Sequence, residues 1–460
     1  MRSDSVLAGK QVVVMGLGRF GGGVDAVRYA AQQGARVLVT DQAAPETLTE
    51  SVHQLQDLNN VTFRLGCHEK ADFEQADVVI VNPAIADDNI YLQHVRSHGT
   101  LVTTQVNLFF QQCPAQIIGI TGANGKSTTT ALTAFLLAAG CRQDDVGYDR
   151  VWRAGNIGHC PLLGLLETIQ SRDVVVLELS SFQTERLAAI ERGPHVALLT
   201  NLTPNHLDRH GTFVEYCRAK EQMFRYQPRD AEHPCISFFN AHDTVGCDWY
   251  AAYGEEVGRE CRLYDCDTLS DTLRMAYTLP GRANLQNLAA AVAVADHLGV
   301  SEDTMAAQLP AFQSLTHRLE RVAEVDQVCW YNDSIATTPE SAVVALQAFT
   351  APKVIIAGGY DKGVSFTELG RVIAARAKAA VLLGQTAGAI AAAIRTAGGE
   401  TLPIAQAASL EQAVRHARDF SRPGDVVLLS PACASYDMFD NFQQRGERFR
   451  QLVETLVSSA

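Results

Sequence analysis

The segment Thr121-Gly122-Ala123-Asn124-Gly125-Lys126-Ser127 combines small residues, one lysine and one hydroxyl, the set needed to grip a polyphosphate. Gly122, Asn124 and Gly125 leave backbone N–H groups free to surround phosphate oxygens. Lys126 can reach the outer phosphates, and the Ser127 hydroxyl suits Mg²⁺. An apolar helix is predicted from Thr128 onward. The strict phosphate-loop pattern requires glycine at 120, where this chain has Ile120, with Gly119 one position earlier. A metal-binding carboxylate is then expected at the end of another strand of the same sheet, and Val174–Glu178 supplies Glu178. A second glycine cluster, Gly16-Leu17-Gly18-Arg19-Phe20-Gly21, precedes a helical segment, with Asp41 beyond the next apolar run. This fits the dinucleotide fingerprint, in which glycines let backbone approach a pyrophosphate at a helix N-terminus. It specifies a pyrophosphate more sharply than a nicotinamide, so NAD, a UDP-type ligand and a structural turn all stay open on this motif alone.

The elements that must position these groups alternate between short apolar runs and segments of helical period. Gln11–Met15, Arg36–Thr40 and Asp77–Val81 read as buried parallel strands, with helices near Val24–Gln33 and Ile90–His98. Ile117–Thr121, Val174–Leu177, Val196–Thr200 and Cys235–Phe239 form a second block. Val328–Tyr331, Val354–Ala357, Ala380–Leu383 and Asp425–Leu429 form a third. The expected fold class is α/β with mostly parallel sheets. A Rossmann-like nucleotide-binding domain is expected over 1–112, a central P-loop ATPase domain over 113–313, and a Rossmann-like C-terminal domain over 314–460.

Composition narrows the function classes. Lys and Arg total 38 against 51 Asp and Glu, a formal charge of −13, which argues against a nucleic-acid binder or a membrane-surface protein. No stretch approaches the roughly 20 apolar residues of a membrane span, and a cytoplasmic protein is expected. The eleven cysteines lack close pairs, and the Cys261/Cys266 spacing matches no usual zinc or redox pattern, so reduced thiols are expected.

The motifs together resemble the Mur ligases, ATP-dependent amino-acid-adding enzymes of peptidoglycan synthesis. Thr121–Ser127 looks like their ATP loop and Ala154–Gly158 (AGNIG) like their substrate-binding turn. Glu178–Gln183 (ELSSFQ), Asn201–Arg209 (NLTPNHLDR), His317–Arg321 (HRLER) and Asn332–Ser334 (NDS) follow in the family's order. Leu429–Gly446 is similar to the C-terminal signature of the D-glutamate-adding member.

The resemblance implies roles residue by residue. Lys126 and Ser127 would hold ATP and one Mg²⁺, with Glu178 shared between two Mg²⁺ ions and His206 a ligand of the second. Lys220 matches the lysine that the family carbamylates. Asn284 and Asn287 fall on the adenine-side motif, and Arg318 and Asp333 would contact the ATP phosphates and ribose. Thr337, Lys362, Ser435 and Phe442 would hold the incoming amino acid; Gly18, Arg19, Phe20, Asn156 and Ser181 would contact the UDP substrate. The implied substrates are UDP-N-acetylmuramoyl-L-alanine and glutamate, and the implied state a monomer. Ala283, Ile335, Tyr436, Gln42 and Ala43 depart from common family residues and bear on fine recognition. The implied chemistry is acyl-phosphate formation followed by amine attack. The rivals are the same reaction with L-glutamate, a folylpolyglutamate synthase-like ligase, an NAD-dependent oxidoreductase and a non-catalytic nucleotide switch.

Overall fold

The computed structural model describes residues 7–19, 21–142, 146–157 and 161–458; Phe20 and Gly158 lie outside them. The chain folds as three α/β domains, each built on its own sheet. The first sheet contains β1 (Gln11–Met15), β2 (Arg36–Asp41), β3 (Val61–Leu65), β4 (Val78–Val81) and β5 (Leu101–Thr103), in the order β3-β2-β1-β4-β5. The second contains β6 (Gln116–Thr121), β7 (Val151–Gly155), β8 (Val174–Glu178), β9 (Val196–Leu199), β10 (Cys235–Asn240) and β11 (Arg259–Tyr264), ordered β11-β10-β9-β6-β8-β7. Every strand pair in these two sheets is parallel.

The third sheet contains β12 (Glu320–Val325), β13 (Val328–Asn332), β14 (Lys353–Gly358), β15 (Ala379–Leu383), β16 (Ile404–Ala407) and β17 (Val426–Leu429). Its order is β12-β13-β17-β14-β15-β16, parallel except for the β12–β13 hairpin. Alternate residues of its inner strands enter opposite cores. Ile355, Ala357, Leu382 and Leu428 face one, and Val354, Ile356, Val381, Val427 and Leu429 the other. Burial on both faces explains the unbroken apolar runs. Each fully buried branched side chain contributes about 1.5–3 kcal/mol over its exposed state.

Two compact units result: Met1–Ser270 with Asn287–Gln308, and Asp271–Gln286 with Leu309–Ala460. Within the first unit, polar groups join the first two sheets' layers. Asp25, on the helix Gly22–Gln32, accepts from Leu163 N (2.8 Å) and Gly164 N (3.2 Å), and from Gln105. Arg186 donates to the Ile85 carbonyl (2.6 Å) and pairs with Asp87, while Asn107 Nδ2 donates to the Arg186 carbonyl (2.9 Å). Arg186 is buried, so removing Asp87 would leave its buried charge without a counter-ion. No helix among the described residues is long and apolar enough to cross a membrane.

Candidate active site

β6 lies between β9 and β8, and the loop Thr121–Gly125 leaves its carboxyl end for the helix Lys126–Cys141. This is the point in an open parallel sheet where a ligand crevice forms. Gly125 has φ +82° and Gly122 φ +146°, conformations that residues with a Cβ rarely adopt. Room is also lacking, because a Cβ on Gly122 would stand 2.0 Å from Thr200 Oγ1, and one on Gly125 2.3 Å from Asn287 Oδ1. Gly119 serves the strand instead: a Cβ there would come within 2.8 Å of Pro194 and 2.9 Å of Met223.

Thr200 and Asn201, just past β9, brace the loop from outside. Asn201 accepts from Ala123 N (2.7 Å) through its carbonyl and from Asn124 N (3.0 Å) through its side chain. Thr200 Oγ1 donates to the Asn124 carbonyl at 2.6 Å. Lys126 Nζ donates to the Ala123 carbonyl at 2.8 Å, so the ammonium folds back onto the loop it serves. Asn287 accepts from Thr129 Oγ1 (3.2 Å), which ties the loop helix to the helix Arg282–His297.

Glu178 ends β8 and is 1% exposed. Its Oε1 accepts from Asn156 Nδ2 at 3.2 Å, whereas Oε2 is buried with no hydrogen-bond partner among the described residues. The turn after β7 is moulded on this residue. Asn156 N donates to the Glu178 carbonyl (3.0 Å), and a Cβ on Gly155 would lie 2.2 Å from that oxygen.

Lys220, on the helix Phe213–Arg225, is also 1% exposed. Its Nζ donates to Thr121 Oγ1 (3.2 Å) and lies 4.9 Å from the centre of the Tyr216 ring. Burial first, and then the charge of Lys126, push its amine well below the ordinary lysine value. His206 is exposed, sits in the left-handed region (φ +51°) and packs on Phe182 at 5.2 Å. Partial desolvation, with the charges of Lys126 and Lys220, holds its imidazole below its usual value. Lys126, Glu178, His206 and Lys220 thus share one electrostatic neighbourhood.

Ser181 is buried, and its Oγ lies 3.0 Å from His210 Nε2. His210, which stacks on Phe182 (5.5 Å), was not singled out by the sequence patterns. Its signal is the histidine four residues past His206 on the same short turn.

In the first sheet, Gly18 N donates to Asp41 Oδ2 (3.0 Å) and Ala43 N to Asp41 Oδ1 (2.8 Å). Asp41 therefore holds the glycine loop in shape. Gly16 (φ +88°) is pressed on Asn82, 2.9 Å from where its Cβ would be, and Arg19 is exposed beside the loop.

In the second unit, Asp333 follows β13 and is buried. Its oxygens accept from Leu319 N (3.1 Å) and Ser430 Oγ (2.9 Å). Arg318 is half-buried nearby, and Thr337 is half-buried with its N–H on the Ile335 carbonyl. Gly358 ends β14 and Gly359 follows it, with φ +114° and +150°, passing so close to Leu383 and Ala434 that no Cβ fits. Beyond them Lys362 is exposed, its Nζ 6.0 Å over the ring of Tyr436. Tyr436 also meets Tyr360 edge-on at 6.0 Å. Ser435 Oγ is buried with no partner among the described residues. Phe442 begins the last helix and stands perpendicular to His317, 6.2 Å away. Asn284 Nδ2 donates to the Pro280 carbonyl (2.8 Å).

Arg445, not foreseen from the sequence, knits this region together. It donates to Ser334 Oγ (3.0 Å), the Ser334 carbonyl (2.9 Å) and the Cys433 carbonyl (3.1 Å). Burial lowers its pKa to about 10.

Residues 10–104 match the Mur ligase MurD-like N-terminal domain, 120–295 the Mur ligase middle domain, and 317–433 the Mur ligase glutamate ligase domain. The chain is 40% identical to UDP-N-acetylmuramoylalanine--D-glutamate ligase of Roseiflexus sp. (strain RS-1) over 474 aligned positions, covering 98% of this chain and 100% of the relative. It belongs to the Mur ligase family. The equivalent ligase of Symbiobacterium thermophilum is 37% identical, with 94% and 95% covered. Among solved structures, the Mur ligase fold is matched by the MurF ligase of Thermotoga maritima in complex with ADP. That match has a TM-score of 0.58 at 16% identity, covering 100% of this chain and 98% of that one. MurC of the same organism gives 0.57 at 18%, with 98% and 100% covered.

Asp333 yields a stability prediction. Burial raises its pKa from 3.8 to about 7, against the lowering effects of Ser430, Leu319 and Arg318. A carboxyl with a raised folded pKa binds its proton more tightly folded than unfolded. Stability therefore falls as pH rises from the unfolded value towards about 7, and stays low above it. Asp333→Asn removes the charge, with its amide oxygen accepting from Leu319 N and its NH2 donating to Ser430 Oγ, which reverses that bond. At pH 8 it is expected to stabilise the protein by roughly 2–4 kcal/mol, a gain that shrinks as pH falls through the window. Denaturant melts of both proteins at several pH values check this; an unchanged or lowered midpoint at high pH contradicts it.

Proposed function

We propose that this chain is an ATP-dependent ligase that adds D-glutamate to UDP-N-acetylmuramoyl-L-alanine, releasing ADP and phosphate, in the cytoplasm of a bacterium. The observation that carries this reading is the convergence of Lys126, Glu178, His206 and Lys220 on one phosphate loop. It is supported by near-full-length similarity to relatives bearing that activity in their names. The division at 1–112, 113–313 and 314–460 is part of the reading, supported by one sheet falling within each segment.

Amide formation from a free carboxylate is uphill in water, so the carboxylate oxygen must first become a leaving group. The substrate carboxylate attacks the γ-phosphorus of ATP, and the bond from that phosphorus to the bridging oxygen breaks with ADP as leaving group. Lys126 and the loop N–H groups of Gly122, Gly125, Ser127 and Thr128 hold the triphosphate and balance the charge that develops, while the Asn124 N–H, expected from the sequence to be free, is taken by Asn201 Oδ1. The glutamate amine then adds to the acyl carbon, and the tetrahedral species expels phosphate. On the family pattern Asn284, Asn287, Arg318 and Asp333 serve the nucleotide. Gly18, Arg19, Phe20, Asn156 and Ser181 serve the UDP substrate, and Thr337, Lys362, Ser435 and Phe442 the amino acid.

The donor set fits magnesium. Glu178 presents a buried carboxylate oxygen without a hydrogen-bond partner among the described residues, and Ser127 adds a hydroxyl. His206 is held towards the neutral form that a ligand needs. A bound Mg²⁺ would supply Lewis-acid neutralisation of phosphate oxygens. Lys220 adds an oxygen donor only as a carbamate: its nitrogen lone pair attacks CO2, forming an N–C bond and losing a proton to solvent. A buried amine with a lowered pKa is suited to that reaction.

Asp41's grip on the glycine loop supports the UDP reading over NAD, because in the dinucleotide pattern that carboxylate serves the ribose. One assay decides the stereochemistry. Enzyme, ATP, Mg²⁺ and UDP-N-acetylmuramoyl-L-alanine are supplied with each glutamate enantiomer, following phosphate release and product mass. Product with the D isomer is expected; product with only the L isomer would overturn the assignment.

A further inference from the structure

Away from the candidate active site, His242, Asp265, Cys266 and Asp267 bring four possible ligand atoms within 4.8 Å of one another. The backbone register dictates the meeting. β10 and β11 run parallel with Asn240 paired to Tyr264, so His242 and Cys266 leave the sheet two residues beyond a matched pair. Ala241 N donates to the Tyr264 carbonyl (3.0 Å), extending the ladder towards the cluster. The two connections are then fixed by their own side chains. Asn240 Oδ1 accepts from His242 N (2.9 Å), and Asp265 Oδ1 accepts from Asp267 N (2.8 Å).

We infer that this cluster is a binding site for a divalent transition ion of the zinc class, separate from the magnesium chemistry of the ligase. His242 Nε2 lies 2.8 Å from Asp265 Oδ1 and 3.7 Å from Asp267 Oδ2, and Cys266 Sγ lies 3.7 Å from Asp267 Oδ1. Tetrahedral ligands at about 2.0–2.3 Å from zinc stand roughly 3.3–3.8 Å apart, so sub-ångström to ångström side-chain adjustments close the shell. The donors are one imidazole nitrogen, one thiol and two carboxylates. That mixture suits zinc or cobalt and is wrong for magnesium, which takes oxygen. A surface His–Asp ion pair needs neither a buried thiol nor a second carboxylate at the same point, and Cys266 is 0% exposed. On binding, the Cys266 thiol loses its proton to solvent and sulfur bonds the ion.

Occupancy would staple the ends of β10 and β11 where they support the phosphate loop. Asn240 Nδ2 donates to the Thr200 carbonyl (2.9 Å), and Tyr264 Oη donates to the Leu199 carbonyl (2.8 Å). Thr200 in turn braces Asn124.

The test uses cobalt(II) as the probe on chelator-treated full-length protein in excess Mg²⁺. One equivalent is expected to produce a thiolate-to-cobalt charge-transfer band and tetrahedral visible bands, and zinc should bleach both. His242→Ala, at an exposed position that does not threaten folding, should lower cobalt affinity at least tenfold. Cys266→Ser should remove the charge-transfer band while leaving the far-ultraviolet circular dichroism intact. No thiolate band in the wild type overturns the proposal. So does a band of unchanged strength and affinity in His242→Ala, which would assign it to another cysteine.

Discussion

Lys126→Ala is expected to lower ligase turnover on the order of 10³-fold with the fold unchanged. The magnitude follows from the chemistry asked of this residue. Charge grows on the bridging and terminal phosphate oxygens during transfer, and removing one preorganised donor from such a site loses about 10²–10³-fold. A full positive charge belongs at or above the top of that range. The structure leaves little room for a substitute: Lys220 is buried, with its amine pushed towards neutrality. Lys126 donates locally to the Ala123 carbonyl, and thermal melts of the variant separate lost chemistry from lost folding. Phosphate release by the variant under saturating substrates checks the point. Turnover within tenfold of wild type would remove Lys126 from the reaction.

The second large effect concerns Lys220. Lys220→Ala should lose about 10²–10³-fold in turnover, and short carboxylic acids such as acetate should restore part of it. A charged lysine side chain enclosed beside Thr121 and Tyr216 is costly, and burial lowers its pKa for that reason. A carbamate would convert this liability into an oxygen donor near Glu178. Alanine removes the donor and opens space that a small carboxylate can enter. Lys220→Met fills the same space with apolar atoms, so it should be equally slow and not rescued. Rescue of both variants, or wild-type turnover in either, would refute the carbamate.

What the sequence revealed follows a physical pattern. The inner strands were readable because both of their faces are buried, so Val78–Val81, Val174–Leu177 and Val426–Leu429 are unbroken apolar runs. The strands that escaped notice, β3, β5, β7, β11, β12 and β16, are the two edges of each of the three sheets. Val61–Leu65 and Glu320–Val325 expose much of their length, so they carry mixed residues that resemble loop.

The site divides in the same way. Glycine turns within contiguous motifs, such as those in Thr121–Ser127 and Gly358–Gly363, were legible because glycine torsions are local properties. Partnerships across the fold were not. Nothing adjacent to Arg186 announces Asp87, or Arg445 Ser334, or Ser181 His210, since each pair is made by packing between distant segments. The His242–Cys266 neighbourhood belongs to this class too. Its residues fit no metal spacing along the chain and meet only through the register of β10 against β11.

The proposed ligase reaction requires the phosphate loop to hand the terminal phosphoryl of ATP to an organic acid. Heavy-oxygen labelling of the alanyl carboxylate of UDP-N-acetylmuramoyl-L-alanine tests it most directly. After one turnover with ATP, Mg²⁺ and D-glutamate, the released phosphate should carry one labelled oxygen and the new amide should retain the other. Unlabelled phosphate formed alongside product, or product formed without ATP consumption, would contradict the account.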